Sequence, residues 1–268
     1  MASQSALCTM SSQKTRLLKT ALSLLRLLGV QRIRVRVEFS GRRIPVVVPL
    51  EFAEPALLNI EHVFVDCDYF QVEYAVPKPG SSVLDAGGFL GFYAAAFAQL
   101  ASRGGAVHVF EPNPLVLPYL AENAEMASTS GALVRVYPRA LCAESGQVYL
   151  YIGENPAVTS TLREHVEEFT SVVARVPVKC TNLSTVLRYL GRVDVVKLDV
   201  EGLELELLRE ASSELKRAGS LVVEVHRDLV DTSEVVESVS RAGFEGVVVY
   251  TSSEMPYQAV LYARRSSD

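Results

Sequence analysis

The sequence predicts an α/β fold in which helices flank a mostly parallel sheet. Short apolar runs typical of buried strands recur at 83–84, 106–110 and 193–198, helical segments alternate with them, and glycines stand at the turns. The chain has 268 residues, of which 49% are hydrophobic, enough for one sizeable core. We therefore expect an N-terminal extension over residues 1–75 and a main α/β domain over residues 76–268.

The N-terminal extension begins with a predicted amphipathic helix, because leucine and alanine recur at helical spacing between Leu17 and Leu28. Apolar and charged residues then alternate over 33–39, as in a half-buried strand. Ser40 and Gly41 follow as a turn, and 44–48 reads as the return strand. A small helix and a β-hairpin are expected.

The same extension is basic although the whole chain carries a net charge of −5. Between residues 14 and 43 one acid, Glu38, stands against Lys14, Arg16, Lys19, Arg26, Arg32, Arg34, Arg36, Arg42 and Arg43. This surface could contact RNA, DNA or an anionic membrane, or it could be a solvated face. The overall acidity does not indicate a dedicated polyanion binder.

The stretch VLDAGGFLGFY predicts a strand, a glycine turn and the start of a helix. Gly87 and Gly88 lack the Cβ that would block a tight turn or a close ligand, and Gly91 lets the next helix pack closely. A second strand over 106–110 leads to Glu111, at the sheet edge where ligands bind in open α/β folds. These features indicate one half of a nucleotide-binding crevice, with Glu111 accepting hydrogen bonds from a ribose.

Asp85 distinguishes this turn from a phosphate-binding turn. The pattern is DxGxxxG and not GxGxxG, and Phe89 would obstruct a pyrophosphate. A carboxylate at this point suits a positively charged ligand, and S-adenosylmethionine carries a sulfonium and an ammonium. S-adenosylmethionine is the favoured ligand. A nicotinamide or flavin nucleotide, or a glycine turn without ligand, are the alternatives.

The rest of the chain supplies the other elements of the expected sheet. Strands are predicted at 133–137, 147–152, 174–179, 193–198, 221–225, 247–250 and 259–263, and helices at 203–217 and 231–242. Asp231 is expected to cap the second of these helices, and Asn113 and Pro114 to cap and begin another helix after the second strand. The last two strands read as a hairpin, which predicts an antiparallel final strand. The segment between 154 and 171 is either a lid over the site or a plain connection.

Four blocks in order resemble the FkbM-type S-adenosylmethionine-dependent methyltransferases: VLDAGGFLGFY, VFEPNP, RALCAESGQVYLY and VDVVKLDVEGLELELL. LVVEVH resembles the fifth strand of that family, so that the resemblance covers roughly residues 77–226. It implies a class I methyltransferase fold, Rossmann-like, with a seven-stranded and mostly parallel sheet whose last strand is antiparallel. It also implies methylation, with a hydroxyl of a small molecule, sugar or lipid-linked compound as the expected acceptor.

The resemblance further implies which residues bind the cofactor. The glycine turn would line its methionine end, Glu111 would hold the ribose, and the segment after the third strand would pass beside the adenine. The implied set is Asp85, Gly87, Gly88, Gly91, Glu111, Pro112, Asn113, Arg139, Ala140, Leu141 and Asp199.

The expected catalytic residues stand at the ends of the fourth and fifth parallel strands: Asp199, Glu201, Glu224 and His226. Methyl transfer is an in-line displacement, so the protein has to align the acceptor and take up its proton. His226 is the predicted base because its ordinary pKa lies near neutrality. The resemblance implies that Asp199 and Glu201 face the transferable methyl group. Lys197, inside the strand, is predicted to pair with a buried acid.

The cysteines have neither CxxC spacing nor a nearby histidine cluster; they are Cys8, Cys67, Cys142 and Cys180. We therefore predict no metal site, since Asp199 and Glu201 alone make a thin case for a cation. Reduced cysteines and a cytoplasmic location are the default expectation. No apolar run reaches transmembrane length.

Three alternatives to a small-molecule methyltransferase stay open at this point. The first is an RNA methyltransferase, for example one acting on tRNA, that holds the backbone with its N-terminal arginines. The second is a nicotinamide-dependent oxidoreductase. The third is a cofactor-binding protein without turnover.

Overall fold

The computed structural model describes residues 7, 8, 10, 18, 22, 25–155, 158–251 and 257–265. Its helices of seven or more residues are α1 (Ala53–Phe64), α2 (Phe92–Ala101), α3 (Leu117–Ser130), α4 (Arg163–Phe169), α5 (Leu183–Leu190), α6 (Glu204–Glu210) and α7 (Thr232–Arg241). Its strands are β1 (Arg32–Phe39), β2 (Arg42–Pro49), β3 (Ser82–Ala86), β4 (Ala106–Phe110), β5 (Leu133–Tyr137), β6 (Ala140–Cys142), β7 (Gly146–Gly153), β8 (Thr159–Ser160), β9 (Val172–Asn182), β10 (Val193–Leu198), β11 (Ala218–His226), β12 (Phe244–Tyr250) and β13 (Gln258–Arg265).

A seven-stranded sheet forms the centre of the molecule, in the order β12-β13-β11-β10-β3-β4-β5. The five strands from β11 to β5 pair in parallel, whereas β13 is antiparallel to both of its neighbours. The predicted mostly parallel sheet with an antiparallel last strand is therefore confirmed. Its carboxyl edge brings the ends of β3, β4, β10 and β11 together.

Apolar residues cover both faces of this sheet, because successive side chains of a buried strand point to opposite sides. Val83 packs with α1, α2, α3 and the N-terminal hairpin, while its neighbour Leu84 packs with α5, α6 and α7. The two layers are the two halves of the core. They hold the strand ends rigidly against each other.

A smaller sheet, ordered β6-β9-β7-β8, is inserted between β5 and β10. Its long strands β7 and β9 pair antiparallel and contain the two extra strands that the sequence predicts at 147–152 and 174–179. Helix α4 lies between β8 and β9 in the chain. The insertion therefore stands beside the carboxyl edge of the main sheet.

The predicted N-terminal hairpin is confirmed as β1 and β2, which pair antiparallel from Arg32 and Pro49 to Phe39 and Arg42. Asn123 of α3 fastens this hairpin to the core. Its side chain accepts a hydrogen bond from Val47 N at 2.7 Å and donates to the carbonyl oxygens of Val47 and Leu90 at 3.2 and 2.8 Å. The predicted helix between Leu17 and Leu28 lies partly outside the described residues.

The basic surface of the extension is partly neutralised where the structure describes it. Arg32 and Arg34 lie 3.6 and 3.4 Å from Glu122, and Arg43 lies 3.8 Å from Glu38. Such exposed pairs contribute little stability. Among the described helices, none has both the length and the apolar character needed to cross a bilayer.

Two predicted helix boundaries were wrong. Asn113 does not cap a helix at Pro114: its Oδ1 accepts a hydrogen bond from Leu115 N in a turn, and α3 begins only at Leu117. The helix expected over 203–217 ends at Glu210, because the chain turns before the next strand, which already begins at Ala218. In contrast, Asp231 caps α7 as predicted, accepting a hydrogen bond from Ser233 N at 2.8 Å.

The expectation of reduced cysteines was also wrong. Cys8 is bonded to Cys67, and Cys142 is bonded to Cys180, so that no cysteine is free. The first disulfide joins the N-terminal segment to the loop after α1, and the second joins β6 to β9 in the small sheet. Disulfides persist mainly in oxidising environments, so the cysteines give no support to the predicted cytoplasmic location.

We expect Asn123→Ala to lower the free energy of unfolding by about 2–4 kcal/mol, because it leaves buried backbone groups of Val47 and Leu90 without partners. Urea denaturation followed by circular dichroism measures the change. Glu125→Ala, on the exposed side of the same helix, is the matched control. Equal stability of the two variants would contradict the fastening role of Asn123.

Candidate active site

A cavity of about 410 Å³ opens at the carboxyl edge of the main sheet. The loops after β3, β4, β10 and β11 form its floor, and β7, β8 and α4 of the insertion form one wall. Helix α1 and the start of β13 contribute the opposite side. Its size is that of a site for a nucleoside-sized molecule.

The glycine turn supplies the backbone on one side of the floor. Gly87 has a φ of +78°, and a Cβ there would collide with the backbone oxygen of Asp199. Gly91 has a φ of +81° and approaches Leu120 of α3, so it allows close packing of two helices and not of a helix on the sheet. The turn therefore brings β3 against the tip of β10.

Glu111 lies directly after β4 and lines the cavity while only 7% exposed. Its two carboxylate oxygens accept hydrogen bonds from the N–H groups of Phe89 and Asn113, at 2.8 and 2.7 Å. Burial raises the pKa of Glu111 to about 7, although these hydrogen bonds and the charge of Lys197 oppose the rise. The carboxylate is thus fixed in place and still has lone pairs for a ligand.

A fully buried lysine lies beneath the floor. Lys197 Nζ is 3.2 Å from Asp85 Oδ1 and 3.1 Å from Asp199 Oδ2, and it donates to the carbonyl oxygen of Gly87 at 2.7 Å. Burial opposes its charge, but the two carboxylates outweigh burial and raise the pKa of Lys197. This confirms its predicted pairing with a buried acid. Burial raises the pKa of both Asp85 and Asp199.

His226 ends β11 and is held between two glutamates. Its Nδ1 is 3.0 Å from Glu204 Oε1, and its Nε2 is 3.3 Å from Glu201 Oε2 without the alignment of a hydrogen bond. Burial would lower the pKa of His226, yet the charges of Glu204 and Glu201 raise it well above 6.5. The two glutamates therefore favour the charged form of the ring.

Glu201 also contacts the insertion. Its Oε2 is 2.9 Å from His165 Nε2 of α4, and His165 Nδ1 is 3.3 Å from Asp228 Oδ2. Burial alone would raise the pKa of Glu201, but the charge of His226 and the hydrogen bond from His165 lower it to about 2. Glu201 is therefore a charged link between the main sheet and the wall of the cavity.

Most of the predicted site residues meet in this one cavity. Those that line it are Gly87, Glu111, Pro112, Asn113, Ala140, Leu141, Asp199, Glu201, Glu224 and His226. The others lie beside it or below it: Asp85 under the floor, Gly88 against Val109, Gly91 against Leu120, and Arg139 outside the lining.

Three cavity residues far from the motifs were not selected as site residues from the sequence, although the segment 61–74 was expected to cover one side of the crevice. His62 of α1, Tyr69 of the following loop and His165 of α4 all line the cavity, and His62 Nδ1 contacts Asp68. One signal was available: the chain has four histidines, and three of them line this cavity. Only the tertiary fold brings them together.

Comparisons with known proteins agree with this architecture. Residues 85–245 match the family model described as the methyltransferase FkbM domain. Among solved structures, the methyltransferase FkbM from Methylobacillus flagellatus KT aligns with a TM-score of 0.51 and 14% identity, covering 80% of this chain and 53% of that one. The present chain thus spans about half the length of that relative.

Two further solved structures align with lower TM-scores. A SAM-dependent O-methyltransferase from Thermotoga maritima has a TM-score of 0.49 and 13% identity, covering 87% of this chain and 78% of its own. Fibrillarin from Aeropyrum pernix, crystallised with natively bound S-adenosyl-L-methionine, has a TM-score of 0.46 and 13% identity, covering 86% and 82%. A search of curated proteins found no significant match.

We expect Gly87→Ala to destabilise the protein more than Gly104→Ala, although both glycines have positive φ. A Cβ at Gly104 meets open space, so the only cost in Gly104→Ala is that of holding an alanine at positive φ, about 1–2 kcal/mol. A Cβ at Gly87 also displaces the backbone of Asp199. Chemical denaturation of the two variants in parallel measures the difference, and a difference near zero would show that the turn does not press on β10.

Proposed function

The chain belongs to the FkbM methyltransferase family, and on this basis we propose that it transfers a methyl group from S-adenosylmethionine to a hydroxyl acceptor. The observation that carries the proposal is the pairing of the glycine turn with Glu111 at one cavity. An ordered carboxylate and exposed backbone on neighbouring strand ends suit a nucleoside. The acceptor would be a small molecule, a sugar or a lipid-linked compound.

The residues present fit S-adenosylmethionine on three counts. The cavity has the size of a nucleoside site, and its backbone is open at Gly87. Glu111 retains acceptor capacity for ribose hydroxyls while its position is fixed by the N–H groups of Phe89 and Asn113. The carboxylate of Asp199 suits a cationic ligand at the same edge.

We propose that the cofactor is held along the lining residues of the glycine side. Gly87 would contact its methionine end, Glu111 its ribose, and the apolar Ala140 and Leu141 its adenine. Asp85 would act from below, because its carboxylate pairs with Lys197 and does not line the cavity. Gly88 and Gly91 would contribute through the shape of the turn.

Methyl transfer needs an acceptor oxygen aligned with the methyl group and a place for its proton. When bound, S-adenosylmethionine supplies a methyl group on a cationic sulfur that leaves with the bonding electrons. Asp199, Glu201 and His226 line the adjoining part of the cavity and would surround the acceptor hydroxyl. The hydroxyl proton would pass to this group as the oxygen–carbon bond forms.

His226 remains the proposed base of that group. Its Nε2 lies 3.3 Å from Glu201, which also lines the cavity, whereas its Nδ1 is engaged by Glu204. In this role the ring has to be free of its Nε2 proton before it can accept one. The insertion would complete the acceptor side through His165, which is bound to Glu201.

Calorimetry with S-adenosylhomocysteine is the first test of the proposed function. We expect one site per chain, and a labelled methyl donor should then mark a component of a mixed hydroxyl-compound library. Reduced nicotinamide dinucleotide and tRNA are the comparison ligands. Binding of the dinucleotide with no binding of S-adenosylhomocysteine would refute the proposal.

We expect the affinity for S-adenosylhomocysteine to fall as the pH is lowered through the Glu111 pKa of about 7. The ionised carboxylate is the form that accepts ribose hydrogen bonds, and protonation removes it. Between about pH 8 and about pH 6 the affinity should fall about tenfold. Glu111→Gln should bind about 1–3 kcal/mol more weakly with a flat profile over this range. Calorimetry of both proteins across this pH range measures the affinities. An affinity of the wild type that does not change with pH would exclude Glu111 as the ribose partner.

We expect His226→Ala to lower the rate of methyl transfer by at least about a hundredfold, on the scale of general base catalysis. Its affinity for S-adenosylhomocysteine should stay within about twofold, because the ring lies on the acceptor side. Single-turnover kinetics with a labelled methyl donor and calorimetry measure the two quantities. An equal loss of both would make His226 a structural residue.

A further inference from the structure

Three ligand-type side chains converge at the acceptor end of the cavity. One oxygen of Asp199, one oxygen of Glu224 and one ring nitrogen of His226 all lie within 4.8 Å of one another. They come from the tips of two adjacent parallel strands, β10 and β11, so the rigid sheet sets their separation. A single ion placed between them would contact all three.

His226 is oriented as a metal ligand would be. Glu204, which is fully buried, accepts hydrogen bonds through Oε1 from the N–H groups of Val200 and Gly202, and the same oxygen lies 3.0 Å from His226 Nδ1. A histidine that binds a metal through one nitrogen usually donates its other N–H to such a carboxylate. Because Nδ1 is held by Glu204, Nε2 is the ring nitrogen left to bind an ion.

His226 Nε2 has no hydrogen-bond partner among the described residues, although the side chain is 2% exposed. Glu201 Oε2 is 3.3 Å away but is not aligned with the ring nitrogen. A buried polar atom without a partner is costly unless a ligand or water completes it. The unsatisfied ring nitrogen of His226 therefore indicates a ligand here.

The two carboxylates retain free binding capacity. Glu224 is 9% exposed and accepts no hydrogen bond from any described residue, and Lys197 contacts only one oxygen of Asp199, Oδ2. Across the surrounding cluster, the five carboxylates outnumber Lys197 and His226 together; they are those of Asp85, Asp199, Glu201, Glu204 and Glu224. An added positive charge would offset this excess.

We infer that Asp199, Glu224 and His226 form a binding site for a divalent metal ion at the acceptor end of the cavity. Two carboxylates and one imidazole on one side of an ion leave its remaining positions open to water or to an acceptor hydroxyl. This mixed donor set suits Mn²⁺, with Mg²⁺ and Zn²⁺ as the competitors to be compared. It departs from the sequence prediction of no metal, which considered only Asp199 and Glu201 as ligands, whereas the structure groups Asp199 with Glu224 and His226.

A bound cation would give His226 a different role from that of a base. The ring would bind the ion through Nε2 and donate its Nδ1 proton to Glu204, and an acceptor hydroxyl on the ion would lose its proton more readily. The site itself is independent of the proposed methyl transfer, because its test needs neither cofactor nor acceptor.

The test is a titration with Mn²⁺. Bound metal is first removed from the purified protein with a chelator, and the protein is then desalted. Calorimetry should show one ion per chain, and the signal of free Mn²⁺ in electron paramagnetic resonance should fall in the same proportion. Mg²⁺ and Zn²⁺ are titrated in parallel. Parallel calorimetry with S-adenosylhomocysteine in the absence of metal separates failure of this site from failure of the proposed function.

Glu224→Gln and His226→Gln should each weaken Mn²⁺ binding by at least about tenfold. Glu122→Gln and His108→Gln are the matched controls, because both residues lie outside the cavity lining and the variants should bind as the wild type does. Circular dichroism checks that each variant is folded. If His226→Gln does not fold, the Mn²⁺ affinity of Glu224→Gln is the deciding measurement. Absence of binding of all three ions to the wild type at millimolar concentration, or unchanged binding by Glu224→Gln, would overturn the inference.

Discussion

The buried ammonium of Lys197 is the interaction on which the site depends. It joins Asp85 on β3, Asp199 after β10 and the carbonyl oxygen of Gly87 in the glycine turn. Lys197 and Asp85 are fully buried, whereas Asp199 and Gly87 line the cavity. Desolvating such a group is costly, so its contribution is better understood as positioning than as stability. If one partner were removed, an uncompensated charge would remain under the floor. The lysine therefore fixes how two neighbouring strand tips meet.

From that floor the cavity divides into two chemical halves. The glycine side has backbone, one carboxylate with a raised pKa, and apolar surface from Ala140 and Leu141. The opposite side is crowded with carboxylates and histidines contributed by β10, β11 and the inserted segment. Asp199 borders both halves. This asymmetry is what a donor and an acceptor of different chemistry require of one site.

Much of this could be predicted from local sequence, because buried parallel strands and glycine turns have short-range signals. The main sheet, the hairpin, Glu111 and the pairing of Lys197 all followed from runs of a few residues. The predictions failed where distant segments meet. The disulfides join cysteines 59 and 38 residues apart, and His62 and His165 reach the cavity only through packing. The early end of α6 at Glu210 likewise depends on where the following strand docks.

The contact between Gly87 and the backbone of Asp199 has a consequence for how the two halves respond to their ligands. Because the turn lies directly against the strand tip, a ligand that shifted one of them would also press on the other. Thermodynamic linkage makes any such effect reciprocal. If a ligand in one half changes the affinity of the other half for its ligand by some factor, the second ligand changes the affinity for the first by the same factor.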